Sequence, residues 1–197
     1  MKDNLQIIQF NLQVQDTASM DPKEIAESVI VLGGNAVVLN IGGIYAWYNS
    51  KVPFHHINEY LPPDRELLRE IIQECHKLGI QVIGRFDFSK TDDTTYLQHP
   101  EWFVQDEKGG PVIYGNKRMG AWSLLMSTCV NGGYRNDKFA VPVLREAIDR
   151  FDLDGIFLNA PQMEPCFCEN CKRKYFREYG KELPRNKDEW EKDWMAI

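Results

Sequence analysis

Long apolar runs are missing from this sequence: no stretch reaches the length of about 18 apolar residues that a transmembrane helix needs, and the first residues lack the apolar core of a signal peptide. We therefore expect no membrane partner and no secretion. Basic residues are outnumbered, with 23 Lys and Arg against 29 Asp and Glu and a net charge of -6. Nucleic acids are bound by basic surfaces, so this balance disfavours a nucleic-acid partner.

Cysteine is scarce and odd in number, with five residues, which does not suit a disulfide framework. Three of them, Cys166, Cys168 and Cys171, form a CxCxxC segment just before a basic stretch at 172–179. Three thiols at this spacing can converge on one tetrahedral metal ion, and reduced thiols are typical of the cytoplasm. The sequence therefore predicts a metal site and a cytoplasmic location.

What the sequence does contain is a regular alternation of apolar runs and amphipathic segments. The apolar runs predict four strands, at 5–12, 36–41, 81–88 and 155–159. A helix is predicted after each strand, at 22–32, 65–78, 138–151 and 172–179, with Asp21 and Asp64 as caps of the first two. Strands and helices that alternate in this way form parallel sheets with right-handed crossovers.

The loops between the predicted elements also follow a pattern: those that follow strands are long, and those that follow helices are short. This asymmetry is typical of a (β/α) barrel, whose active face lies at the carboxyl ends of the strands. The predicted fold class is α/β, a TIM (β/α)8-type barrel of which residues 1–197 supply about the first four β/α units. We expect a partial barrel, either a truncated product or an N-terminal segment. The alternative is a complete small α/β sandwich.

A closed structural zinc site needs four ligands, so one more thiol is required. Cys75 lies on the apolar face of a predicted helix, where free cysteine is commonly buried, whereas Cys129 lies in a glycine-rich segment that can approach an ion. We therefore expect Cys129 to join Cys166, Cys168 and Cys171 around a structural zinc ion. The alternative is a set of reduced surface thiols without a metal.

Polar side chains end three of the predicted strands, where barrel enzymes keep their chemistry. Asp87 ends the third strand and Asn159 the fourth, and these two are the candidate catalytic residues. Arg85 and Asn40 are candidates for binding substrate. The structural alternatives are a salt bridge that ties the third strand to its neighbours and amide hydrogen bonds to the adjoining loops.

The long loops add further candidates for binding a sugar. Trp47 and Trp102 are predicted stacking platforms, and His55 and His56 are predicted to hydrogen-bond hydroxyl groups. Asn131, in the glycine-rich segment beside Cys129, completes the substrate-binding set. For the two tryptophans the alternative is packing on the rim of the barrel, and for the two histidines it is exposure to solvent.

Four segments carry a resemblance to a known family: RFDFSK at 85–90, HPEWF at 99–103, TCVNGGYR at 128–135 and DGIFLN at 154–159. Together they resemble the barrel of the hypothetical glycosyl hydrolase family 6. CFCENCKRKYFREYG at 166–180 also resembles the zinc region of family 42 β-galactosidases. The resemblance covers roughly residues 5–184 and implies a carbohydrate-active barrel whose zinc ligands are Cys129, Cys166, Cys168 and Cys171.

The chain departs from family 42 at one position. The fourth strand of those enzymes ends in Asn-Glu, whose Glu is the general acid/base, and the matching pair in this sequence is Asn159-Ala160. Their nucleophile lies on the seventh strand, beyond residue 197. Glu164 is a weak substitute because of its place in a loop, which leaves Asp87 as the best-placed carboxylate.

Three functions are consistent with these observations. The first is a glycoside hydrolase-like barrel that acts on a carbohydrate, β-galactoside-like by resemblance, with part of its machinery outside this chain. The second is a degenerate barrel that binds a sugar without cleaving it, which Ala160 favours. The third is a zinc-stapled domain whose cysteine loop serves a homo-oligomer interface. For the 197-residue chain alone we expect negligible hydrolysis.

Overall fold

The computed structural model describes residues 4–114, 124–161, 164–190, 192–193 and 197. The strands are β1 (Ile7–Gln9), β2 (Ala36–Gly43), β3 (Gln81–Asp87), β4 (Lys90–Asp92), β5 (Ile113–Tyr114), β6 (Leu125–Ser127) and β7 (Gly155–Leu158). The α-helices are α1 (Pro22–Val31), α2 (Leu67–Lys77), α3 (Asp93–Gln98), α4 (Ala140–Arg150), α5 (Glu169–Tyr179) and α6 (Lys187–Trp190). Each helix in this part of the chain is too short or too polar to cross a bilayer.

The chain divides into two compact units. Unit 1 comprises Met1–Asp87 and Pro142–Asn159, and unit 2 comprises Phe88–Val141 and Ala160–Ile197. Unit 2 is therefore built from the two segments that follow β3 and β7 in the chain.

Unit 1 contains a four-stranded sheet in the order β1-β2-β3-β7, with every neighbouring pair parallel. The strands lie side by side in chain order, without the reversal that marks a doubly wound sheet. The prediction of an α/β fold with a parallel sheet is confirmed. The strand bounds differ by a few residues, most at β1, which is shorter than predicted because only Ile7–Gln9 pair with β2.

The two faces of this sheet differ. Val82, Gly84 and Phe86 of β3 are buried on one face, where Gly84 packs so closely against Leu153 that a Cβ would lie 2.8 Å from a methyl group. Arg85 and Asp87 alternate with them and lie half-buried on the opposite face. Because side chains alternate along a strand, the polar residues at the strand ends share one less covered face.

The helices of unit 1 follow the predicted patterns with one exception. Asp21 caps α1 as expected, since its side chain accepts from the backbone N–H groups of Lys23 and Glu24. Asp64 was predicted to cap α2, and that prediction is wrong: α2 begins two residues later, and its N-cap, Glu66, makes no side-chain capping bond. Asp64 is left exposed on the approach to the helix.

Unit 2 contains an antiparallel sheet in the order β4-β6-β5. Its core includes the four clustered cysteines together with Val104, Phe167, Tyr175 and Trp190. A second aromatic group is formed by Phe88, Tyr134 and Phe139, in which Tyr134 and Phe139 stack at 4.1 Å. The alternation of strand and helix did not predict this second sheet.

Candidate substrate site and metal centre

Two polar pairs connect the carboxyl ends of three neighbouring strands in unit 1. Nη1 of Arg85 donates to Oδ1 of Asn40 over 2.8 Å, because β2 and β3 place these residues directly opposite each other. Nδ2 of Asn159 donates to Oδ2 of Asp87, also over 2.8 Å. The backbone N–H of Asn159 donates to the carbonyl of Phe86, which continues the ladder between β3 and β7 and places Asn159 beside Asp87.

These pairs orient the charged groups of the strand ends. Nδ2 of Asn40 donates to the carbonyl of Leu12 over 3.3 Å, so the amide holds its oxygen toward Arg85. Nε of Arg85 is buried and has no acceptor within the described residues. A buried N–H group without an acceptor carries an energetic cost. The four side chains therefore offer a cation, a carboxylate and two amides on one face.

His55 lies in a different setting from the one predicted for it. Its side chain is only 5 % exposed, so it is part of the interior of unit 1 rather than a group that reaches for a sugar. Nε2 accepts from the backbone N–H of Gly43 over 3.2 Å, so the ring proton is assigned to Nδ1, which lies 3.0 Å from Oγ of Ser50. Burial lowers the pKa of His55 to about 4, which keeps the ring neutral.

Glu146 on α4 ends this series of hydrogen bonds and is not among the residues predicted from the sequence. Oε2 accepts from Oγ of Ser50 over 2.5 Å and from the hydroxyl of Tyr48 over 2.9 Å, and Oε1 accepts from the backbone N–H of Lys51 over 2.7 Å. Burial opposes ionisation of this carboxyl, but these bonds outweigh it, so its pKa lies below the ordinary value. The result is a fixed connection from α4 through Ser50 and His55 to the end of β2.

The remaining loop candidates of unit 1 lie near the surface. His56 is exposed, packs edge-on to Tyr45 at 5.3 Å and lies 3.7 Å from Glu59. Trp47 is half-buried and lines a cleft of about 450 Å³ that includes none of the strand-end residues.

Trp102 belongs to unit 2 and is only 7 % exposed. Its ring stacks on His99 at 3.9 Å with an angle of 6° between the planes. A sugar platform needs an open ring face, and in this arrangement His99 covers one face of Trp102.

Four cysteines of unit 2 form the candidate metal centre. The Sγ atoms of Cys129, Cys166, Cys168 and Cys171 all lie within 4.8 Å of one another, and all four side chains are buried. Cys129 lies 3.4 Å from Cys171 and 3.8 Å from Cys168, close to the separation of about 3.8 Å that a tetrahedral zinc ion with Zn–S bonds of about 2.3 Å imposes. These residues can hold a metal ion. Cys75 lies apart from them, buried on α2 of unit 1.

Backbone and side-chain donors surround the sulfur atoms. The N–H groups of Gln105 and Cys168 both lie 3.4 Å from Sγ of Cys166, and the N–H of Asn131 lies 3.3 Å from Sγ of Cys129. Nδ2 of Asn131 donates to Sγ of Cys171, while its Oδ1 accepts from Lys174. The side-chain amide of Asn131 therefore binds the cysteine cluster through its nitrogen and is held in place through its oxygen. Donors of this kind orient and stabilise thiolate ligands.

Crowding of the four thiols shifts their proton affinities in opposite directions. Hydrogen bonds with the other three thiols lower the pKa of Cys168, whereas hydrogen bonds with the other three thiols raise the pKa of Cys129. Four closely packed thiolates repel one another, so a shared cation is needed to hold all of them ionised.

Solved structures identify the class of this fold. The α-L-fucosidase isoenzyme 2 from Paenibacillus thiaminolyticus is similar over 100 % of this chain and 29 % of its own, with a TM-score of 0.72 and 20 % identity. The maltogenic α-amylase AmyB from Thermotoga neapolitana is similar over 90 % of this chain and 43 % of its own, with a TM-score of 0.54 and 16 % identity. At such identities the likeness shows the fold, the α/β architecture of glycosidase barrels.

The family follows from the sequence. A family model described as hypothetical glycosyl hydrolase 6 matches residues 21–160, and the chain belongs to this family. No curated protein matches the sequence. The predicted family is thereby confirmed. The chain spans less than half the length of the two similar enzymes, and its further likeness to family 42 β-galactosidases stays a prediction.

Proposed function

We propose that unit 1 supplies the substrate-binding strand ends of a glycoside hydrolase-like partial barrel, and that these ends bind a pyranoside, β-galactoside-like by resemblance. The observation that carries this proposal is the pair of hydrogen bonds between Asn40 and Arg85 and between Asp87 and Asn159. Sugars present alternating hydroxyl donors and acceptors, and this face offers an oriented cation, a carboxylate and two amides to them.

Asp87 has the central role in this proposal. A retaining glycosidase uses one carboxylic acid and one carboxylate about 5–5.5 Å apart, and Asp87 is the carboxylate at the strand ends of unit 1 that can be one of them. Asn159 orients Asp87 and donates to a hydroxyl beside the reacting carbon. The second carboxylate would come from outside this chain, so we expect the chain alone to bind sugar with negligible turnover.

A second candidate is a binding module without catalysis, and Ala160 favours it. This residue follows Asn159 directly and has a φ of 47°, in the left-handed region that a non-glycine residue rarely adopts. By the resemblance to family 42 this is the place of the general acid. A methyl group there can neither donate a proton nor accept one.

For unit 2 we propose a structural zinc site held by Cys129, Cys166, Cys168 and Cys171. Four thiolates complete a tetrahedral shell and leave no position for water, so the ion would stabilise the fold rather than act on a substrate. The arrangement joins the two separate chain segments of unit 2. Buried reduced thiols favour a cytoplasmic protein, and a metal-stapled unit of this kind can serve a homo-oligomer interface.

The sugar site is tested with two substitutions at the strand ends. Binding of methyl β-D-galactopyranoside is measured by saturation-transfer NMR for the unchanged chain, for Asp87→Asn and for Asn159→Ala. We expect each substitution to raise Kd about tenfold, because each removes an oriented hydrogen-bonding group of the site. Asp149→Asn is the control, since Asp149 is exposed on α4 and makes no hydrogen bond within the described residues.

Two results would count against the proposal. Equal Kd values for the unchanged chain and Asp87→Asn would remove the strand ends from the sugar site. Turnover of a nitrophenyl galactoside by the chain alone, abolished in Asp87→Asn, would show that the chain holds a complete catalytic site. In any form of the protein that carries a complete barrel, binding without turnover would favour the second candidate.

A further inference from the structure

The cleft beside Trp47 offers a second place for a ligand in unit 1. It holds about 450 Å³ and lies between the loop after β2, the start of α2 and the end of α4. Small-ligand sites commonly have volumes of about 300–1,000 Å³. None of the four strand-end residues lines this cleft, so a ligand bound in it would be separate from one at Asp87.

The floor of the cleft is rigid. Tyr48, Leu67 and Phe151 are each at most 5 % exposed, and the guanidinium of Arg150 lies over the rings of Tyr48 and Phe151 at 5.3 and 5.6 Å. Arg150 also donates to the carbonyl of Asn49 over 2.6 Å and pairs with Glu66. A floor fixed in this way loses little freedom when a ligand binds.

The walls combine an aromatic ring with apolar side chains. Trp47 is half-buried, and within the described residues its indole makes no ring contact and its N–H has no acceptor. Ile57, Leu61, Pro62 and Pro63 complete the wall, and Ile57 is 39 % exposed. An indole that lines a cleft without a stacked ring and with an available N–H suits a pyranose, which presents C–H groups on its faces and hydroxyl groups at its edge.

The charged residues at the rim of the cleft influence which sugars can bind in it. Arg65 is occupied by Glu70 at 2.7 Å, and Glu66 is occupied by Arg69 and Arg150. Asp64, displaced from its predicted capping role, has no ion pair or hydrogen bond within the part of the chain that the structure describes. The cleft is lined by two acidic and two basic residues, and within the described residues Asp64 is the one of the four without an ion pair, so it accepts from hydroxyl groups and disfavours a carboxylate placed beside it.

We propose that this cleft is a second carbohydrate subsite, in which Trp47 stacks on a neutral pyranose and Asp64 accepts hydrogen bonds from its hydroxyl groups. The proposal rests on the proposed function only for the class of ligand. A subsite apart from the strand ends would hold a second residue or branch of an oligosaccharide.

The test uses the indole N–H signals of the five tryptophans in a ¹H–¹⁵N correlation spectrum, with that of Trp47 assigned from Trp47→Phe. The probes are 2′-fucosyllactose, maltotetraose and the anionic digalacturonate. We expect the Trp47 signal to shift with at least one neutral probe and to stay unchanged with digalacturonate. Asp64→Asn should raise Kd for that neutral probe about threefold, and Trp47→Ala about tenfold.

The Asp64→Asn variant should stay folded, because Asp64 is exposed and makes no contact that folding needs. A change in its Kd can therefore be assigned to the cleft. Glu178→Gln, an exposed carboxylate of unit 2, is the matched control and should leave Kd unchanged. A Trp47 signal that is unmoved by every neutral probe, or a Kd unaffected by Asp64→Asn, would overturn the proposal. Asp87→Asn separates the two sites, because it should weaken binding at the strand ends while the shift at Trp47 persists.

Discussion

Gly43 and Asp87 are register partners at the carboxyl ends of β2 and β3, and their backbones are in contact. A Cβ on Gly43 would lie 2.1 Å from the carbonyl oxygen of Asp87, and that oxygen accepts from the N–H of Ile44 over 2.9 Å. On its other side, Gly43 donates its own N–H to His55. The backbone that carries the proposed substrate-binding carboxylate is therefore positioned by a glycine, which a buried network holds in place.

We first predict that Gly43→Ala destabilises the chain by at least about 3 kcal/mol and weakens sugar binding at Asp87. The residue has a φ of 107°, which disfavours any side chain, and the added Cβ would collide with the Asp87 backbone, which cannot move aside as a flexible side chain can. Thermal unfolding and the Kd of methyl β-D-galactopyranoside measure the two effects.

Two glycines serve as controls for Gly43→Ala. Gly79 also has a positive φ, of 72°, but a Cβ there meets nothing within 4 Å, so Gly79→Ala should cost only about 1 kcal/mol. Gly155→Ala meets only ordinary contacts, the nearest at 3.7 Å, and should be almost neutral. If Gly43→Ala were no worse than Gly79→Ala, the close approach to Asp87 would not be a constraint.

The second prediction concerns Glu146, whose carboxylate accepts three hydrogen bonds from the loop after β2. Glu146→Gln replaces one accepting oxygen by an NH₂ group and removes the negative charge that strengthens these hydrogen bonds. We expect a loss of about 2 kcal/mol and a fall in Tm of about 6 °C. Asp149→Asn on the same helix changes an exposed carboxylate without partners and should leave Tm unchanged. An equal Tm for both variants would contradict the role given to Glu146.

The parallel sheet could be predicted because its signal is local and repeated. Each buried strand is a short apolar run, and each helix shows its own apolar stripe, as in Leu68, Ile71 and Cys75 of α2, all of which are buried. The clustering of Cys129 with the CxCxxC segment could also be predicted, because Cys129 lies in a glycine-rich segment that can approach the other thiols, whereas Cys75 lies on the apolar face of a helix. The proximity of Asn40 to Arg85 and of Asp87 to Asn159 follows from the same logic, since parallel strands bring their carboxyl ends together.

Contacts between distant segments could not be predicted. Nothing in the sequence near Glu146 indicates that it accepts a hydrogen bond from Ser50, which is 96 positions away. His55 in a loop reads as a polar surface residue, because only the tertiary fold buries it. Asp64 reads as a helix cap, but the chain turns once more before α2 begins.

The third prediction is a pH dependence of stability that His55 produces. Burial lowers its pKa to about 4, with the nearby His56 acting in the same direction and Glu146 opposing it, while an unfolded histidine has a pKa of about 6.5. Between these values the unfolded chain binds more protons than the folded one, so stability falls as the pH is lowered from about 6.5 to about 4. The contribution of His55 is at most about 3 kcal/mol.

Denaturant unfolding at a series of pH values measures this contribution. In His55→Gln the slope between about pH 6.5 and pH 5 should flatten, because the carboxylates with lowered pKa values, Glu66, Glu146 and Asp154, lose their contributions only at lower pH. An unchanged slope in His55→Gln would show that another group produces the pH dependence.

The fourth prediction tests the proposed zinc ion through the difference between Cys129 and Cys75. The purified chain should contain about one equivalent of zinc, and Cys129→Ser should lose it, because serine replaces one of four converging thiolates. Cys75→Ser should keep the metal, since Cys75 lies buried on α2, where burial raises the pKa of its thiol to about 11. Elemental analysis of both variants gives the comparison.

Thiol reactivity distinguishes a metal site from a cluster of reduced cysteines. The four clustered thiols should resist a disulfide reagent in the native chain and react after a chelator removes the ion, while Cys75 stays slow because it is protonated and buried. The chelator should also lower Tm, since the ion would join two separate chain segments of unit 2 at their buried cysteines. A metal-free chain whose Tm and thiol reactivity a chelator does not change would show that the four thiols pack without an ion.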